Sequence, residues 1–235
     1  MAICSTGRLR TGARASNGAR VPDDPMRRRA RSPGCSPPSS ARWSGWSTRD
    51  VGGDFYDLFA IDAHGWAAVI GDVTGRGVDA AGATALARHS LRALAPYTTP
   101  EGALQRLNTL LRPAGWPLTA AYARLDPEAD GCWATAEDAL LTEVQQSLRP
   151  GDTVILYTNG VTETRGADGP FREHRLAEVA AMTAGQPANV TAEAILTALR
   201  AFNTRDTTDD QALLVLHLTG PDTSRNGGSE TPPSV

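Results

Sequence analysis

Three short apolar runs, "AAVIGD", "VILYTN" and "DDQALLVLHL", meet an acid or amide side chain at one end, at Asp72, Asn159 and the pair Asp209–Asp210. Runs of this length are too short for ordinary helices and read as strands buried on both faces. Strand ends are rigid platforms, so polar side chains placed there can converge on one point. Asp54, in the Gly-Gly-Asp turn of "VGGDFYD", is positioned to join them.

Between these runs the pattern changes period. "VDAAGATALARHSLRALA" reads as a helix halted at Pro96. "TPEGALQRLNTLLRP" reads as a second, with Thr99 as N-cap, Pro100 at the first helical position and Leu104, Leu107 and Leu111 on one face. "TAAYARLDPEADGCWATAE" predicts two strands around a turn at Pro127 to Gly131, and "LTEVQQSL" a further strand. "FREHRLAEVAAMTA" and "TAEAILTALRAF" are amphipathic helices. The order of strands, two helices, strands, two helices and a closing strand predicts an α+β fold, with helices covering sheets and without regular βαβ alternation.

Length allows one sizeable core: 235 residues with 40% hydrophobic content. The net charge of −3 hides an asymmetry, because residues 1–50 hold ten Arg against three Asp and the rest is acidic. An acidic body argues against nucleic acid as a partner, since phosphate neutralisation dominates such binding, and it suits a collector of cations. No apolar run is long enough for a membrane helix, so no membrane partner is expected. Cys4, Cys35 and Cys132 are too few and scattered for a disulfide framework or zinc site, which makes a reducing, cytoplasmic setting the expectation. Residues 1–45, rich in Arg, Ser and Pro, are expected to be a disordered tail, 46–219 the folded domain and 220–235 a flexible tail.

Carboxylates gathered at strand ends repel one another unless a cation neutralises them, and an all-oxygen ligand set selects Mg²⁺ or Mn²⁺. The neighbouring glycines would let backbone carbonyls and water approach. On spacing alone, ordinary Asp-Gly turn chemistry is the commoner explanation. A dinucleotide fold is the weaker rival: "GRGVDA" fits a glycine-rich loop, but no strand ending in an acid follows about 20 residues on. The four isolated histidines and five tryptophans read as surface or packing residues.

In order along the chain, "VGGDFYD", "VIGDVTGRGVDAA", "LNTLLRP", "TAAYARLDP", "LRPGDTVILYTNGVTE" and "DDQALLVLHL" resemble the blocks of the SpoIIE/RsbU-like branch of the PP2C (PPM) metal-dependent protein serine/threonine phosphatases. The resemblance spans about residues 50–218. It implies a β-sandwich flanked by helices, with a two-metal site for Mn²⁺ or Mg²⁺ at one edge. It implies Asp54, Asp72 and Asp209 as the catalytic acids, and Asp54, Asp72, the Val73 carbonyl, Asn159, Asp209 and Asp210 as the metal-ligand set. Asp57 is implied as a residue that orients metal-bound water. The reaction implied is hydrolysis of phosphoserine or phosphothreonine on a protein by a metal-activated water. The implied substrate is a phosphorylated anti-anti-sigma factor in a bacterial partner-switching pathway.

The chain departs from the family pattern in three places. "YTNG" places Asn159 where the family carries a metal-binding Asp, which predicts weaker metal binding or a catalytically impaired protein-binding module. After "CWATA" the usual Ala-Gly-His-Pro-Pro segment and its hairpin are missing, and "EDALLTEV" follows at once, so part of one sheet is expected to be lost. The first strand of the family is poorly matched by "ARWSGWS".

Overall fold

The computed structural model describes residues 2–5, 41–47, 53–62, 65–74, 77–125, 131–137, 140–204 and 210–219. In chain order the elements are β1 (Ala2–Ser5), β2 (Ala41–Ser47), β3 (Asp54–Ala60), β4 (Trp66–Val73), α1 (Gly77–Leu94) and α2 (Pro100–Leu111). There follow β5 (Leu118–Leu125), β6 (Gly131–Glu137), β7 (Leu140–Gln146), β8 (Thr153–Tyr157) and the short α3 (Asn159–Glu163). The chain continues through β9 (Arg165–Gly166), β10 (Gly169–Pro170), α4 (Arg172–Met182), α5 (Ala188–Phe202) and β11 (Ala212–Leu218).

Two antiparallel sheets result, a five-stranded meander β3-β4-β5-β6-β7 and a four-stranded sheet ordered β1-β8-β11-β2, with β9 and β10 forming a separate two-stranded ribbon. Their inner faces meet through Ala68, Ile70, Ala121 and Ala123 from one sheet and Val154, Leu156, Ala212, Leu214 and Leu216 from the other. On one outer face, Phe55, Phe59, Val69 and Tyr122 pack against Leu91, Leu104, Leu107 and Leu111 of α1 and α2. On the other, Ile155, Tyr157, Leu213 and Val215 pack against Leu176, Ile195 and Leu199 of α4 and α5. The chain is therefore a four-layer sandwich of helices, sheet, sheet and helices, which is why β4, β8 and β11 read as unbroken apolar runs.

Local signals behave as their chemistry requires. Thr99 caps α2 by accepting a hydrogen bond from the Gly102 N–H at 3.2 Å, an interaction worth about 1 kcal/mol. α1 ends at Leu94, where a 3-10 turn over Ala95–Tyr97 carries Pro96. Trp43, Trp66 and Trp116 pack in or against the cores.

Two strands lie within the stretch 1–45 and at its border, where the sequence suggested a tail. Ala2–Ser5 pairs with β8 from Ala2↔Tyr157 to Ser5↔Val154. Ala41–Ser47, the poorly matched "ARWSGWS", pairs with the whole of β11. Both take up backbone groups that β8 and β11 would otherwise leave open at a sheet edge. The turn at 127–130 and the tail 220–235 lie outside the described residues, as does Asp209. Among the described residues no helix is long and apolar enough to cross a membrane.

Candidate metal-binding edge of the sandwich

Strand alternation decides which polar side chains enter the sandwich. In β3, Phe55 and Phe59 turn outward to the helices while Tyr56 and Leu58 turn inward, and Asp54 shares the inward phase. In β4, Ala68 and Ile70 are inward, and Asp72 continues that phase. Asp54 and Asp72 are register partners. On the opposite sheet Val154 and Leu156 lead to Thr158, and Ala212 is preceded two residues earlier by Asp210. Four polar side chains from both sheets thus meet at one end of the interior.

Electrostatics reports the convergence. The Asp54 carboxyl is pushed up to about 11, chiefly by burial, then by the Asp72 and Asp210 carboxylates, with the Thr158 side chain pulling weakly the other way. Both Asp54 carboxylate oxygens, and Oδ1 of Asn159, are buried without a hydrogen-bond partner. Orphaned acceptors of this kind cost about 1–3 kcal/mol each when nothing is bound to them.

Two glycines permit the close approach. A Cβ on Gly53 would collide with the Val73 carbonyl oxygen and with Asp72 Oδ1. The Gly53 carbonyl accepts from Val73 N–H at 2.8 Å and from the Thr84 hydroxyl of α1 at 2.9 Å, which holds the Val73 peptide beside Asp54. A Cβ on Gly160 would collide with the Asp210 carbonyl oxygen. Asn159 is the first residue of α3, so its side chain leaves from a helix start, where the sequence suggested a strand end.

Asp57 is not part of this group. It occupies the outward phase of β3 and is buried, with Arg92 of α1 donating to both carboxylate oxygens at 2.6 and 2.7 Å. The water-orienting role implied for Asp57 therefore does not fit its position, because strand alternation turns it away from Asp54. Of the histidines, His217 is buried against the Thr153 hydroxyl at 3.0 Å, and His89 and His174 are exposed.

Among the described residues no group of three or more His, Cys, Asp or Glu closes into a ready-made metal cage. The donor chemistry fits a hard cation nonetheless. The atoms are all oxygens, two of the carboxylates face each other in register, and the buried Asp54 acceptors are unsatisfied. A divalent cation at that end would offset both the burial and the carboxylate repulsion that push Asp54 up.

The sequence profile of the Stage II sporulation protein E (SpoIIE) family matches residues 62–138 and 133–219. The chain belongs to the SpoIIE family. The two matched segments of this SpoIIE-family chain overlap at residues 133–138, in and just after β6. Solved structures share the PP2C fold. The SiaA-PP2C domain of Pseudomonas aeruginosa is 21% identical with a TM-score of 0.69, covering 82% of this chain and 89% of that one. The RsbU and RsbW domains of a Mycobacterium tuberculosis protein are 21% identical with a TM-score of 0.64, covering 78% and 62%. The SpoIIE phosphatase domain with a regulatory fragment from Bacillus subtilis is 16% identical with a TM-score of 0.61, covering 77% and 64%. A search of curated proteins returns no match.

Sequence reasoning missed Thr158, Gly160 and Gln211. Thr158 was legible from its phase, two residues beyond Leu156, whereas nothing in the alternation marks Gln211.

Proposed function

We propose that this SpoIIE-family chain is a metal-dependent protein serine/threonine phosphatase with one weakened metal ligand. The observation that carries the reading is the buried, unsatisfied Asp54 carboxyl opposite Asp72. Bound Mn²⁺ or Mg²⁺ supplies Lewis-acid activation of water and of the phosphoryl oxygens. Asp54 and Asp72 contribute charge from one sheet and Asp210 from the residues leading into β11, with Asp209 added on the strength of the family resemblance. The Val73 carbonyl adds a neutral oxygen held in place by the Gly53 contact. Asn159 offers an amide oxygen without charge, so its share of the site binds more weakly than a carboxylate would. The substrate class is a phosphorylated regulatory protein, of the anti-anti-sigma type in a cytoplasmic partner-switching pathway, on the strength of the family resemblance.

The test is phosphate release from a phosphoserine protein in Mn²⁺. Release that depends on Mn²⁺ and is abolished in both Asp72→Ala and Asp209→Ala is the expected result, and full activity in both variants would sink the site. The neutral Asn159 favours one second reading, a catalytically impaired module that binds a phosphoprotein. Partner capture that survives EDTA and both substitutions, with no phosphate released, would favour that module.

A further inference from the structure

Asn159 and Asp210 belong to different segments of the chain, yet each is flanked by cross-links between those segments. On one side, Thr158 N–H donates to the Ala212 carbonyl at 3.1 Å and Ala212 N–H donates to the Thr158 hydroxyl at 2.7 Å. On the other, the buried Gln211 amide donates to the Gly160 carbonyl at 3.0 Å and to the Thr164 hydroxyl at 2.7 Å. The Thr164 hydroxyl in turn donates to Gly160 O at 2.7 Å, closing a buried triangle. Gly160 itself lies against the Asp210 carbonyl.

We propose that Gln211 is a positioning residue that latches α3 to the start of β11 and so fixes the separation of Asn159 from Asp210 for cation binding. The proposal rests on the metal-site reading above. The geometry carries it: Gln211 follows Asp210 directly, and its amide donates to Gly160 in the helix that Asn159 begins and to Thr164 at that helix's C-cap. A pair of fixed donors removes the freedom of α3 to slide along β11, and outer partners that orient ligands typically govern roughly 10-fold to 100-fold in metal affinity.

The experiment is Mn²⁺ titration by calorimetry on the full chain, with folding read by circular dichroism. Gln211→Met keeps the side-chain length and removes both donors. Thr164→Val opens the triangle but leaves the Gln211–Gly160 bond. Thr153→Val removes the Thr153–His217 hydrogen bond at the other end of the same β8–β11 ladder. Gln211→Met is expected to weaken Mn²⁺ binding by about tenfold or more, with a smaller loss in Thr164→Val and none in Thr153→Val, whatever its melting temperature. A folded Gln211→Met with wild-type Mn²⁺ affinity overturns the latch, as does an equal loss in Thr153→Val. Should Gln211→Met not fold, Thr164→Val decides: unchanged affinity there overturns the proposal, and weakened affinity supports it. Absence of Mn²⁺ binding by the unaltered chain overturns the metal reading and the latch with it.

Discussion

Asp54 and Asp72 stand opposite each other in the β3–β4 ladder, so two carboxylates occupy the same end of the sandwich interior. Asp54→Asn removes one of them while keeping its shape. Without a cation this variant should melt at a higher temperature than the wild type, since a buried, repelled acid is gone. With Mn²⁺ present the order should reverse, because affinity falls by more than about 100-fold, beyond what an outer partner alone governs. Thermal melts with and without Mn²⁺ check both signs.

The same acid sets a pH dependence. Folding raises Asp54 from 3.8 to about 11, so across that window the folded state holds a proton that the unfolded state has released. Stability from this group is therefore complete below the unfolded value and falls as pH rises, by up to about 1.4 kcal/mol per pH unit. Cation-free wild type should lose stability relative to Asp54→Asn between pH 5 and pH 8. Parallel denaturation midpoints for the two proteins over that range would contradict this.

Asn159→Asp supplies the charge that the family resemblance implies at this position. It should tighten Mn²⁺ binding and raise phosphate release, while lowering the stability of the cation-free chain by adding a further buried acid. Release assayed on a phosphoserine protein separates the cases. Equal activity in both makes Asn159 a usable ligand. Activity only in the variant locates the defect at this position. A folded protein silent in both forms shifts suspicion to the missing sheet segment and favours the binding module.

Two glycine substitutions should act with opposite signs. Gly53→Ala forces a methyl into the Val73 carbonyl and Asp72, for a cost of about 1–3 kcal/mol and weaker Mn²⁺ binding. Gly82, exposed in the interior of α1, meets nothing within 4 Å, so Gly82→Ala should stabilise by about 0.5–1 kcal/mol. Chemical denaturation measures both.

Asp57→Ala removes the paired hydrogen bonds to Arg92, whose guanidinium also lies 4.9 Å from the Phe59 ring centroid. A loss of about 1.5–3 kcal/mol is expected, because hydrogen bonds to a charged group are given up while Arg92 keeps partial access to water. Mn²⁺ affinity should be unchanged. A weakened affinity at unchanged stability would return Asp57 to the metal site.

The sequence exposed most of this architecture through periodicity. β4, β8 and β11 were legible as unbroken apolar runs, and α2 from Thr99, Pro100 and its leucine face. Asp72 was legible at the end of its apolar run, but Asp54, read as a turn residue, opens β3, and the strand phase that turns it inward also turns Asp57 away, although the family resemblance pointed the other way. α3 was missed because "NGVTE" has too few residues to display a helical period. Gln211 was missed for a different reason: its function lies in where a flexible amide points, which tertiary packing decides. β2 was discounted because "ARWSGWS" matches the family poorly, yet Trp43 packs against the core between the sheets and the whole length of β11 offers an edge to pair with.

β4, β8 and β11 are covered on both faces, and Asp72, Asn159 and Asp210 lie at or beside their ends. Amide hydrogens on such strands exchange only when the whole domain opens. Most of the site is therefore mounted on backbone of this kind, and cation binding should persist in denaturant until the amides of Ile155 and Val215 exchange, both signals ending in one transition.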